Sequence, residues 1–187
     1  PPPLPLSPPS SPSPPLPPPN PPWAITSSVR LRAPELQNPG CWDVWELEAH
    51  DKLLPTGADS KIALDAINLI DSNDDPNSGK YGIQNLIDGQ TDYTDGPRPW
   101  GGRPGTGEPD PWMGLTGLSE MPASLRVGAN SGTCTPVLGS SIFVEVRWED
   151  GGLWVQLMPP IVVDDTGSTW YQAAWNTVAL HVHQPSP

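Results

Sequence analysis

The chain has 187 residues, room for one ordinary domain plus an appendage, and carries a net charge of −12. That balance argues against nucleic acid as a partner, because a phosphate-tracking surface needs clustered Lys and Arg and the nine present are scattered. No run approaches the roughly eighteen apolar residues of a membrane-spanning helix, and the opening on Pro1, without Met or a charged leader, is expected of a processed protein or a piece of a longer one.

Proline is concentrated at the start, where fourteen of residues 1–22 are Pro. Each fixes φ near the polyproline II value and biases its predecessor the same way, so this segment predicts a stiff left-handed helix of about 70 Å, at ~3.1 Å per residue. Composition alone also fits a disordered low-complexity linker. From Trp23 to Asp51 two period-2 patterns follow: Val29, Leu31 and Ala33 alternate with Arg30 and Arg32, and Val44, Trp45 and Leu47 sit among Asp43, Glu46 and Glu48. With Pro, Asn and Gly in the connecting loop 34–40, the expectation is a hairpin-like pair of half-buried strands.

Ser72 to Gly79 is a dense acidic turn where Asp71, just before it, and Asn73, Asp74, Asp75 and Asn77 offer oxygen ligands to Ca²⁺, but the spacing is not that of an EF-hand loop and a solvated turn is the plainer reading. From Tyr81 to Leu115, Gly and Pro interrupt any helix and predict short strands and turns, with Trp100 and Trp112 as anchors over a core. Within it, Asn85-Leu86-Ile87-Asp88-Gly89 carries two aliphatics inward and then turns, leaving a carboxylate and carbonyls at the bend, a cradle for a hard cation or simply a self-capped turn. Strands are expected at 125–127, at 142–148, after the Asp150-Gly151 hairpin turn at 153–157, at 161–163 and at 175–183. His181 and His183 share the polar face of the last one, a solvated face rather than a metal site. No strong helix appears, so the fold class is all-β.

The order of Asn85–Gly89, Trp100, Trp112-Met113-Gly114-Leu115 and Val144–Trp154 resembles the discoidin-like family, the C-type domain of coagulation factors five and eight, over roughly Lys61 to His183. There an N-x-I-D-G turn precedes a Trp, a W-I-x-V-D-L-G strand and a V-x-V-S-x-D-G-x-x-W hairpin. Here Thr116 departs from the Asp and Trp148 from the Ser. The resemblance implies a jelly-roll β-sandwich. It also places Ser28–Arg32 and Trp45–Ala49 at the positions of the family's last two strands, ahead of its first, which Lys61–Asp65 resembles. Circular permutation, donation of 23–51 to a neighbouring subunit, and membership of 23–51 in a preceding domain each fit that order. The resemblance further implies one structural Ca²⁺, held by the Asn85 carbonyl, the Asp88 carboxylate, the Gln90 carbonyl, Thr91 or Thr94, and Glu46 with the Trp45 carbonyl. In such an extracellular setting Cys41 and Cys134 are expected to form one disulfide, with buried free thiols the alternative.

The Ser/Pro runs of the first segment resemble the hydroxyproline-rich glycoproteins of plant and green-algal cell walls and ciliary appendages. That resemblance implies hydroxylation and glycosylation across Ser7, Pro8, Pro9, Ser10, Ser11, Pro12, Ser13, Pro14 and Pro15, and a secreted location. No nucleophile elbow, HExxH, Walker loop or CxxC pair is present, so the sequence argues against an enzyme. Two functions fit. One is a structural glycoprotein that assembles with copies of itself, or with a related polyproline protein, into a fibre, wall or appendage. The other is a carbohydrate-binding module on a rigid stalk, with Arg98, Trp100, Arg103, Trp170 and Tyr171 as residues to stack on and bond to a sugar.

Overall fold

The computed structural model describes residues 27–52, 60–73, 81–89, 98–129, 134–163 and 174–179. Eleven strands are present among them, β1 (Ser28–Arg32), β2 (Trp42–His50), β3 (Lys61–Ile62), β4 (Leu69–Asp71), β5 (Trp100–Gly102), β6 (Trp112–Thr116), β7 (Ser124–Ala129), β8 (Ser141–Arg147), β9 (Val155–Gln156), β10 (Ile161–Val162) and β11 (Ala174–Ala179). Two single turns of 3-10 helix, Ala66–Asn68 and Ile83–Leu86, are the helical pieces among the described residues. The fold is all-β, as the Gly/Pro punctuation and period-2 runs require. The polyproline segment 1–22, the glycosylation candidates within it, Gln90, Thr91, Thr94, Trp170, Tyr171, His181 and His183 lie outside the described residues.

All pairing is antiparallel, in two sheets. One runs β10-β8-β1-β6-β4, with β9 also on β8; the other runs β11-β7-β2-β3, with β5 also on β2. The inward residues of the first, Val29, Leu31, Met113, Leu115 and Val144, join Val44, Leu47, Ala49, Leu125 and Val127 of the second in one hydrophobic core. Trp42 and Trp100, both fully buried, close one end edge to face at 6.1 Å. Deletion of buried groups of this size typically costs about 3–5 kcal/mol.

The early strands are central rather than appended. Strand β1 lies between β6 and β8, Val29 opposite Leu115 and Val146, Leu31 opposite Met113 and Val144. Strand β2 lies between β7 on one side and β3 and β5 on the other. The expected hairpin of β1 and β2 is therefore absent: the two strands sit in different sheets, and loop 34–40 crosses between them. That loop has its own partner in segment 134–137, through Gln37 N–H to the Thr135 carbonyl (2.9 Å) and Val137 N–H to the Glu35 carbonyl (3.0 Å). The Cys41–Cys134 disulfide fastens the same junction across 93 residues of sequence.

Strand β1 is also not half-buried. Arg30, on its outer face, is only 5 % exposed. Its Nε donates to Glu145 on β8 (2.6 Å) and its Nη1 to Glu108 (3.0 Å), while Arg32 donates to the same Glu145 (2.9 Å) and to Asp110 (2.6 Å). The Arg30 guanidinium lies 4.3 Å from the Trp154 ring and 5.0 Å from that of Trp112; the Arg32 guanidinium lies 4.7 Å from that of Phe143. Trp112 accordingly anchors this outer layer and not the core between the sheets, while Gly114, opposite Arg30, leaves room where a Cβ would strike the Val29 carbonyl. Burial pushes the Glu145 carboxyl up, but hydrogen bonds from Arg32 and Arg30 outweigh it and hold the group below its ordinary range.

Removing one member of a buried, hydrogen-bonded pair leaves the other charge uncompensated, which costs about 3–5 kcal/mol. Glu145→Gln is therefore expected to lose about that much stability in urea denaturation at pH 7. Because the folded pKa of Glu145 is depressed, its contribution is complete above the unfolded value and disappears as pH falls through the folded one. The gap between wild type and E145Q should close on acidification; a gap that persists at low pH contradicts this account of the pair.

Candidate functional site

The cation site that the resemblance implies depends on two segments far apart in sequence. Strand β2 begins in register with β7, Val44 opposite Ala129, but Glu46 is opposite Gly128, so Trp45 is an extra residue and the strand carries a bulge. Bulges re-aim side chains. The Trp45 side chain is fully buried, and Glu46, 3 % exposed, accepts a hydrogen bond at Oε2 from the Gly89 N–H at 3.0 Å.

The other segment is the turn 83–89. Ile83 and Leu86 are buried and bind it to the core through one turn of 3-10 helix. Asn85 N–H donates to the Gly82 carbonyl (3.1 Å), and its side-chain amide to the Pro99 carbonyl (3.3 Å). Gly89 has φ +77°, in the left-handed region where L side chains are strained, so the Asp-Gly turn forms as its sequence requires. The structure thus brings Glu46 to the Gly89 end of this turn, within reach of the Asp88 charge.

Electrostatics make the place unusual. Burial raises the Glu46 pKa from the ordinary 4.5 to about 7; the Gly89 N–H and Lys61 oppose the rise, and the neighbouring Asp88 charge adds to it. Lys61 Nζ is 3.5 Å from Glu46 but 3.0 Å from Glu48, so its charge is shared. A buried carboxylate pressed by a second carboxylate, beside a turn rich in carbonyls, is a donor set that suits Ca²⁺, which takes six to eight oxygens. The residues present therefore fit the ion. No group of three or more His, Cys, Asp and Glu that could hold a metal occurs among the described residues.

Of the carbohydrate candidates, Arg98, Trp100 and Arg103 are among the described residues. Trp100 is fully buried, its indole N–H donating to Asp71 at 2.6 Å, so it is a core residue and not a stacking surface. Asp71 and Asn73, from the acidic stretch, serve this indole and the 101–103 backbone instead of facing solvent. Arg98 is partly exposed and Arg103 exposed; the Arg103 charge lies close enough to Asp43 to lower its pKa, although burial dominates and raises it to about 6.

Two features escaped the sequence reading. Lys61 and the Gly89 N–H, the partners of Glu46, belong to segments whose approach depends on topology. The bulge had a signal: Val44-Trp45 is a pair of adjacent apolar residues that breaks the alternation of β2. On the outside of the second sheet a further network joins Glu48 to Arg126 (3.0 Å) and to His50 (3.3 Å), and His50, 1 % exposed, to Ser60 (3.0 Å). Burial raises Glu48, but Lys61, His50 and Arg126 together hold its pKa below the ordinary value.

Because the folded pKa of Glu46 lies above the unfolded one, its ionisation destabilises the fold: stability falls as pH rises from about 4.5 to about 7 and is level above that. Glu46→Gln removes the penalty, and metal-free E46Q is expected to be more stable than wild type at pH 8 by about 1–3 kcal/mol, and so to melt at a higher temperature. The difference should vanish near pH 4. A lower melting temperature for E46Q at pH 8 contradicts the assignment. No protein-family model matches the chain, and neither a curated protein nor a solved structure matches it.

Proposed function

We propose that the chain is a structural extracellular glycoprotein in which a proline-rich strut and a calcium-tied β-sandwich assemble into a fibre, cell wall or surface appendage. The sandwich is a jelly roll of the discoidin-like kind, circularly permuted, with β1 and β2 taking the positions of that family's last two strands. The ion lies between the Glu46 carboxylate and the Trp45 carbonyl on β2 and the Asn85–Gly89 turn, with Gln90 and Thr91 or Thr94 completing it. There it ties the permuted strands to the rest of the body.

The observation that carries this reading is where the strut enters. Only residues 23–26 separate the proline-rich segment from Ser27 and β1, and β1 is hydrogen-bonded on both sides and clamped by Arg30 and Arg32. A load on the strut reaches the body at a strand whose five residues are all paired on both sides, which suits a tension-bearing module. The burial of Trp100 weighs against the lectin-like alternative, because it removes one of the aromatic rings that alternative depends on.

Two measurements test the proposal. Millimolar Ca²⁺ is expected to stabilise the fold at pH 7.5, by about 2.7 kcal/mol at a hundredfold excess over Kd, read as a higher melting temperature, with EDTA reversing the gain and E46Q abolishing it. In electron microscopy the full chain is expected to form filaments that deletion of residues 1–22 eliminates. Polysaccharide binding without any self-assembly contradicts the structural role and favours the module on a stalk.

A further inference from the structure

The rim of the first sheet carries an exposed apolar strip. Leu153 is 88 % exposed and Val155 49 % exposed, flanking the half-buried Trp154 just after the hairpin turn at Glu149–Gly152. Three consecutive apolar residues in this condition are unusual for a strand end with a polar turn beside it, and exposed patches of this kind mark interaction sites. Trp154 is held in place from the sheet side: Arg30 lies 4.3 Å and Arg147 4.9 Å from its ring, and Trp112 is 5.8 Å away, centroid to centroid. A rigid aromatic bordered by aliphatic side chains is the surface on which polyproline II strands dock, since the rings of proline pack on indole and the strand is already ordered before it binds.

On the assembly reading above, we infer that the strip Leu153-Trp154-Val155 is a receptor for the proline-rich segment, residues 1–22, of a second copy of this chain. Three facts point to that occupant. The segment contains Pro, Leu, Ser and Asn and no charged residue, whereas the whole net charge of −12 sits on the remainder, so a neighbour's segment meets no repulsion where a neighbour's body would. Leu4, Leu6 and Leu16 supply apolar side chains along it. The described residue nearest to the segment also lies at this rim: Ser27 donates to the carbonyl of Trp148 (3.1 Å), the residue directly before the turn that leads to Leu153. A polyproline II strand of that length spans about 70 Å, against roughly 40 Å for a compact body of about 160 residues. Leaving from one rim it outreaches its own body and arrives at the corresponding rim of the next copy, a head-to-tail contact that propagates instead of closing.

The test is sedimentation velocity of the full chain, with a synthetic peptide of residues 1–22 as competitor, beside the double variant Leu153→Asp, Val155→Asp. The wild type is expected to associate with rising concentration, excess peptide to return it to monomer, and the variant to associate at least tenfold more weakly with an unchanged melting temperature. Leu153→Ser with Val155→Thr serves as a milder pair if the aspartates lower the melting temperature, and is expected to weaken association in the same direction. Association that survives in the variants, resists the peptide or persists after deletion of residues 1–22 overturns the receptor; the first two leave assembly by another surface standing, and the last points to contact between bodies. A wild type that stays monomeric and does not bind the peptide overturns the receptor and the assembly reading together.

Discussion

The fold depends on the ion-paired layer that covers the outer face of β1. A strand in the middle of a sheet must satisfy two environments at once, and β1 does so with Val29 and Leu31 inward and Arg30 and Arg32 outward. Arg30 is buried almost as deeply as the aliphatics, which is affordable only because Glu145 and Glu108 take its donors and Trp154 and Trp112 cover it. Desolvating a guanidinium is costly unless its hydrogen bonds are made, so this arrangement fixes more than stability. It sets the register of β1 against β8: a slip by one residue turns both arginines into the core.

The second sheet is organised by a departure from regularity. The bulge at Trp45 lets β2 bury Trp42, Val44, Trp45 and Leu47 while presenting Glu46 to the 83–89 turn. Without the extra residue the alternation of β2 would put Glu46 and Leu47 on exchanged faces. The tension at this point is electrostatic, a carboxylate held by burial where its ionised form is disfavoured. The two sheets are then joined at the other end by Cys41–Cys134 and by the loop 34–40 lying along 134–137.

Much of this was legible in residues alone, and for identifiable reasons. Gly and Pro spacing excluded helices, Asp150-Gly151 marked its hairpin, and the alternation of 142–147 and of 29–33 marked β8 and β1. Asn85–Gly89 announced a turn through Asp88-Gly89, whose glycine accepts the positive φ, but of the two aliphatics read as inward only Leu86 is buried, with Ile83 in place of Ile87 as its companion. What could not be read was partnership. Alternation says that a strand has two faces but not which strand lies beside it, so β1 and β2 looked like a hairpin when each is paired elsewhere. The complementary charges of Val29-Arg30-Leu31-Arg32 and Val144-Glu145-Val146-Arg147 were visible, yet the 115 residues between Arg30 and Glu145 hid their contact. Trp100 was read both as an anchor over the core and as a sugar-binding candidate, because tryptophan suits either, and its burial decides for the core.

The central claim is that strands near the start of the chain are the innermost members of the body. Native-state hydrogen exchange of the full chain tests it most directly. The amides of Val29, Leu31, Val44 and Leu47 are expected to exchange only through global unfolding, with the same free energy as those of Val144 and Val127. Rapid exchange at 28–32 and 42–50, with the remaining strands still protected, would contradict the account.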